Sequence, residues 1–222
     1  MSLSREPLRR RKAIRSWIPA AVLLVLIVAA LSVAVMTRTT NVGAAPTSAP
    51  PTAVTAEGTS LFTPAGLAYI NDTRKVSIDA RQLPIEVEPL GLEASGTLTI
   101  APPTEAYEYL TVIGPGGGTR LMGTTIDIVT EDGYVTAASI TDSLRPLNYR
   151  ETQALFRERV ERFAIPPERL DGFASAAADA RRDNRDFTYS IRTDDALGVG
   201  LTVTAECSSD SVCGVVDRFE FN

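Results

Sequence analysis

The side chains whose types could support chemistry are carboxylates, a pair of thiols and a few tyrosines, because the 222-residue chain contains no histidine. That absence removes Ser-His-Asp and Cys-His catalysis, histidine-held zinc or haem, and imidazole pH switches. Two cysteines are too few for a four-thiolate zinc or iron–sulfur site. Acid–base work would therefore fall to carboxylates, and glycoside hydrolysis needs only a flanking pair of them. Glu105, Glu108, Glu131, Asp132, Asp194 and Asp195 are the candidates, but no spacing singles out two. Glu131-Asp132 sits in a turn and Asp194-Asp195 in the loop before a strand, where solvated turn residues account for both. No Gly-x-Ser-x-Gly elbow, Ser-x-x-Lys pair or calcium loop is present. The run from Gly114 to Gly118 lacks a following Lys-Ser/Thr, and G-x-G-x-x-G spacing fails at Thr119. It reads as a hairpin connection rather than a phosphate loop. Neither a metal nor a cofactor site is legible.

Cys207 and Cys213 bracket the loop between two strand-like segments. In an oxidising compartment that arrangement predicts a disulfide stapling a hairpin, since redox-active pairs prefer Cys-x-x-Cys at a helix start. Tyr107 and Tyr109 alternate with Glu108 on a predicted strand. They form a weak candidate for a partner-binding patch, with a core edge as the plainer reading. Arg150, Arg157, Arg159 and Arg162 are expected on a solvated helix face, paired with neighbouring glutamates.

The elements that would carry these residues follow from periodicity. Two-residue alternation predicts strands at 76–80, 85–87, 98–100 and 107–113. A hairpin is expected from 124–130 and 134–140, turning at Asp132-Gly133. The period then changes to 3.6. Asn148 with Glu151 forms a capping box, and Thr152, Leu155, Phe156, Val160 and Phe163 line one face of a helix over 149–163. Pro166-Pro167 ends it and opens a second helix that should bury Leu170, Phe173, Ala174 and Ala177. Strand alternation returns at 187–191, 199–203 and 215–221. Strands, two helices and strands again predict an α+β domain over 59–222, an antiparallel sheet with both consecutive helices packed on one face.

Upstream the chain has another character. Residues 17–36 are uncharged and apolar, and twenty residues at ~1.5 Å rise make roughly 30 Å of helix, the thickness of bilayer hydrocarbon. Arg5, Arg9, Arg10, Arg11, Lys12 and Arg15 precede this segment and only Arg38 closely follows. The positive-inside rule then leaves residues 1–16 as a basic cytoplasmic tail and exports the remainder. Its apolar body exceeds the roughly 7–15 residues of a signal-peptide core, so an uncleaved signal-anchor is expected, with cleavage after Ala44 the competitor. Residues 37–58, rich in Thr, Ala and Pro, read as a flexible stalk.

Beyond residue 38 lie 15 basic and 26 acidic residues, a formal charge of −11, which excludes the basic footprint of a nucleic-acid binder. Arginine outnumbers lysine 20 to 2, a composition suggesting a high-GC bacterium. The expectation is a single-pass cell-membrane protein, in contact with the lipid bilayer through 17–36. Its extracytoplasmic domain serves as a non-enzymatic binding or interaction module of the cell envelope, with an envelope protein as partner. The alternatives are an envelope enzyme acting on glycan or peptide through a carboxylate pair, and an accessory subunit of a membrane complex.

Overall fold

A computed structural model describes residues 52–101, 107–142 and 145–221. The predicted tail, span and most of the stalk lie outside these residues, and none of the described helices is long and apolar enough to cross a membrane. The last part of the predicted stalk belongs to the folded body. Ala53 is buried, Val54 bridges to Ser60, and the Thr55 N–H donates to the Thr59 carbonyl.

The described chain is an α+β fold. Helix α1 (Pro64–Thr73) precedes β1 (Lys75–Asp79), β2 (Ile85–Glu86), β3 (Gly96–Ile100), β4 (Glu108–Gly114), β5 (Gly117–Gly123), β6 (Thr125–Glu131) and β7 (Tyr134–Thr141). A short β8 (Leu147–Asn148) leads into α2 (Tyr149–Arg162), a 3-10 turn (Pro167–Leu170) and α3 (Asp171–Asp183), followed by β9 (Phe187–Ala196), β10 (Val199–Cys207) and β11 (Val212–Glu220). Most strands pair antiparallel in a sheet of order β3-β6-β7-β11-β10-β9, with β2 joined to β7 and β8 to β11. Two features depart from the single-sheet expectation. A separate three-stranded sheet, β1-β4-β5, contains a parallel β1–β4 pair. Helix α1, which carries little helical periodicity, is started by Thr63, whose hydroxyl accepts from the Gly66 N–H, and by Pro64 at its first turn.

Register explains where the core lies. Ile126, Ile128, Ala138, Ile140, Asp217, Phe219, Leu201, Val203 and Ile191 occupy one face of the large sheet, and all are buried. The small sheet covers that face beside β6 and β7, where a Cβ on Gly123 would meet the Thr141 carbonyl oxygen at 2.0 Å. Helices α2 and α3 cover it beside β9–β11. A ring contact of Phe156 with Phe173 joins the two helices, and contacts of Phe173 with Phe187 and Phe163 with Phe219 bind the helical layer to the strands. The opposite face is polar, with Ser190 bonded to Thr204 and Arg192 paired with Glu220. The β6–β7 hairpin turns at Asp132 and Gly133, both at positive φ, 51° and 86°, as a tight two-residue turn requires.

Candidate functional site

Among the described residues, the carboxylate candidates of the sequence do not gather into one site. Glu105 lies outside the described residues. Glu131 and Asp132 end and turn an exposed hairpin, Asp194 pairs with Arg192, and an Asp195 oxygen accepts from the Gly198 N–H. Glu108 is 0% exposed and receives a 3.0 Å hydrogen bond from Arg74, while its other oxygen has no partner.

Two other carboxylates do converge. Asp142, just after β7, and Asp217, on β11, both receive hydrogen bonds from Arg159 of α2. The Arg159 Nε lies 3.1 and 3.0 Å from the two Asp217 oxygens, and its Nη2 reaches Oδ2 at 2.9 Å. Arg159 is 3% exposed and Asp217 0%, which corrects the expectation that Arg159 faces solvent. Burial opposes the charge on Arg159, but Asp217, Asp142 and Glu158 together hold its pKa above the ordinary value. One guanidinium cannot offset two carboxylates. Desolvation raises the Asp142 pKa to about 6 against the pull of Arg159, with Asp217 adding to the rise. Desolvation raises Asp217 as well. The sequence signal was present: Asp217 occupies the inward register of Val215 and Phe219, and Arg159 follows Phe156 by three positions within the apolar stripe. Because Asp217 is sealed from solvent, the cluster chiefly locks α2 onto the sheet. Asp142 alone keeps an opening, a pocket of about 330 Å3 shared with Glu151, Glu158, Leu147 and Leu155.

That lock fixes one wall of another concave feature, a groove of about 560 Å3 between α2 and α3. Arg150, Arg181 and Arg182 stand in its lining together with Tyr149 and Gln153, and Phe173, Ala174, Ala177 and Ala178 supply the apolar part. No carboxylate lines it, although the sequence beyond residue 38 is strongly acidic. Arg182 is held by Asp179 at 2.8 Å, whereas Arg150 and Arg181 have no ion-pair partner among the described residues. The Tyr149 hydroxyl donates to the Ser208 carbonyl at 3.0 Å, and the Tyr189 hydroxyl to the Arg169 carbonyl at 2.6 Å, so strands and loops hold both helices. Ala174, expected in the core, is exposed and lines this groove, while Ala180 takes a buried position. Nothing in the linear sequence brings Arg150 beside Arg181. That proximity needs the two helices to fold back on one another.

Tyr107 and Tyr109 lie apart from the groove, at the start of β4. Tyr107 is exposed, Tyr109 half-buried, and Tyr109 faces exposed Met122 across the β4–β5 pair. The Gly114–Gly118 run is the hairpin connection between β4 and β5, with Gly114 opposite Gly117. Its close neighbour is Leu197, whose carbonyl accepts from the Gly116 N–H at 2.9 Å. Cys207 and Cys213 form a disulfide across the β10–β11 pair, where they are register partners. Among the described residues no cluster of three or more Cys, Asp or Glu side chains could hold a metal ion. Comparison with models of known protein families, with curated proteins and with solved structures finds no match to this chain.

Proposed function

We propose that the chain is a single-pass protein of a bacterial cell membrane, with a cytoplasmic basic tail, a span over 17–36 and an extracytoplasmic domain that acts as a non-enzymatic binding or interaction module of the cell envelope. The observation that carries the binding role is the α2–α3 groove: an apolar floor lined by three arginines without a carboxylate, on an otherwise acidic domain. The uncharged segment between the Arg15 and Arg38 flanks carries the membrane placement. Photo-crosslinking in intact cells tests the assignment. A photoreactive residue at Gln153 or Ala178 should form a discrete protein adduct. The same residue at Thr202, on the polar sheet face, should not. Equal labelling from all three sites, or none from the groove, would reject it. A reporter fused after Asn222 should be active only outside the cytoplasm.

A second reading rests on Asp142, a carboxyl with a pKa of about 6 that opens into a pocket beside Glu151 and Glu158. A proton held near neutrality beside other carboxylates suits a general acid on a glycan or peptide. Asp142→Asn separates the two: full function in vivo removes the enzyme reading.

A further inference from the structure

We infer that the α2–α3 groove takes an acidic, amphipathic helix of another protein, an inference that rests on the binding role proposed for that groove. Charge sets the sign of the occupant. Arg150 and Arg181 carry guanidiniums without carboxylate partners among the described residues, and such groups pair most strongly with carboxylate or phosphate. The shape of the floor sets the class. Phe173 is 1% exposed and Ala177 7%, so the apolar floor is nearly closed over and offers no channel to enclose an acyl chain. A lipid tail laid there would stay largely in water, whereas small-ligand sites bury most of their ligand. A protein segment supplies its own covering surface.

Secondary structure narrows the occupant further. Both walls are helices, whose mid-helix backbone groups bond within the helix, so no sheet edge is available in the groove to pair with an extended peptide. The occupant must satisfy its own backbone, which a helix does. Exposed Ala174 and Ala178, four residues apart on α3, form a low ridge against which a third helix can pack closely. Its apolar stripe would lie over Ala174, Ala177 and Ala178, and its carboxylates would meet Arg150 and Arg181.

Binding of fluorescently labelled peptides to the full chain in nonionic detergent tests this. The probes are a 20-residue helix of Leu and Ala on one face with Glu on the other, and a counterpart with Lys in place of Glu. The Glu peptide should bind saturably, and several-fold more weakly when salt rises from 50 to 300 mM. The Lys peptide should show no saturation. Arg150→Glu/Arg181→Glu should weaken the Glu peptide at least tenfold, while Arg157→Glu/Arg218→Glu, at arginines outside the groove lining that also have no carboxylate partner among the described residues, should leave it unchanged. Equal binding of both peptides, no binding of the Glu peptide, or indifference to Arg150→Glu/Arg181→Glu overturns the inference. So does displacement of the peptide by phosphatidylglycerol vesicles but not phosphatidylcholine vesicles, which would make the occupant an anionic membrane. Groove-specific crosslinks in cells combined with peptide failure would sink the acidic helix and leave the binding module standing. Loss of both would sink the module too.

Discussion

Replacing Arg159 with methionine isolates the interaction that fastens α2 to the sheet. The substitution keeps most of the side-chain stem and deletes the guanidinium, leaving Asp217 buried at 0% exposure with none of its three contacts at 2.9–3.1 Å. Removing one partner of a buried pair costs about 3–5 kcal/mol, because the remaining charge is left uncompensated. A domain of this size has about 5–15 kcal/mol in all, so about a fifth or more of the stability would go. With a urea slope near 2 kcal/mol/M, the unfolding midpoint should fall by about 2 M at unchanged slope. Restoring neutrality in Arg159→Met/Asp142→Asn/Asp217→Leu should recover most of the loss, since an apolar replacement of a whole buried cluster is often neutral. A midpoint shift worth less than about 1 kcal/mol for Arg159→Met would refute the argument. Failure of the triple variant to recover would move the cost from charge to lost packing of the arginine stem.

The same cluster predicts a pH dependence. Asp142 has a folded pKa of about 6, above its ordinary 3.8, so the folded protein holds a proton that the unfolded chain releases. That contribution is complete below about 3.8 and is lost as pH rises through about 6, with a slope of at most about 1.4 kcal/mol per pH unit. Wild type should therefore gain stability relative to Asp142→Asn as pH drops from 7.5 to 5, read from paired urea titrations; the opposite trend would contradict it. Arg74→Ala should cost several kcal/mol in the same assay, because the buried Glu108 carboxylate keeps no other hydrogen bond among the described residues. Replacing Cys207 and Cys213 with serine should cost about 2 kcal/mol, the chain-entropy value for so short a loop, visible as a lower thermal midpoint. Gly123→Ala should destabilise by about 1–3 kcal/mol or disrupt the contact between the sheets, since its Cβ would lie 2.0 Å from the Thr141 oxygen and 2.6 Å from an Ile140 side-chain carbon.

Much of the architecture is legible because strand alternation and helix capping are local. The Asp132-Gly133 hairpin, the Asn148–Glu151 capping box and the Cys207–Cys213 staple all depend on residues within a few positions of each other, and each forms as their chemistry dictates. Helix α1 is not legible in the sequence because its start signal is only Thr63 and Pro64, and only Gly66 and Ile70 of its residues are buried. The parallel β1–β4 pair spans 34 residues from Lys75 to Tyr109, and strand patterns carry no mark of which distant strand is the neighbour. Sequence alone groups Arg159 with solvated arginines, because charge outweighs position in one dimension. Its place in the apolar stripe becomes decisive only when β11 brings Asp217 beneath it.

By itself the sequence determined that no histidine is present for catalysis, the α+β character of the described fold, the staple between its last strands and the contrast between an apolar N-terminal segment and an acidic remainder. These follow from residue type and short-range period, properties that need no partner elsewhere in the chain. Tertiary structure decided which carboxylates meet, how two sheets share one core, and that Arg150, Arg181 and Arg182 border a common groove. Those are relations between residues tens of positions apart, created when helices and strands bury their apolar faces against one another, and a charge acquires its meaning only from what that burial sets beside it.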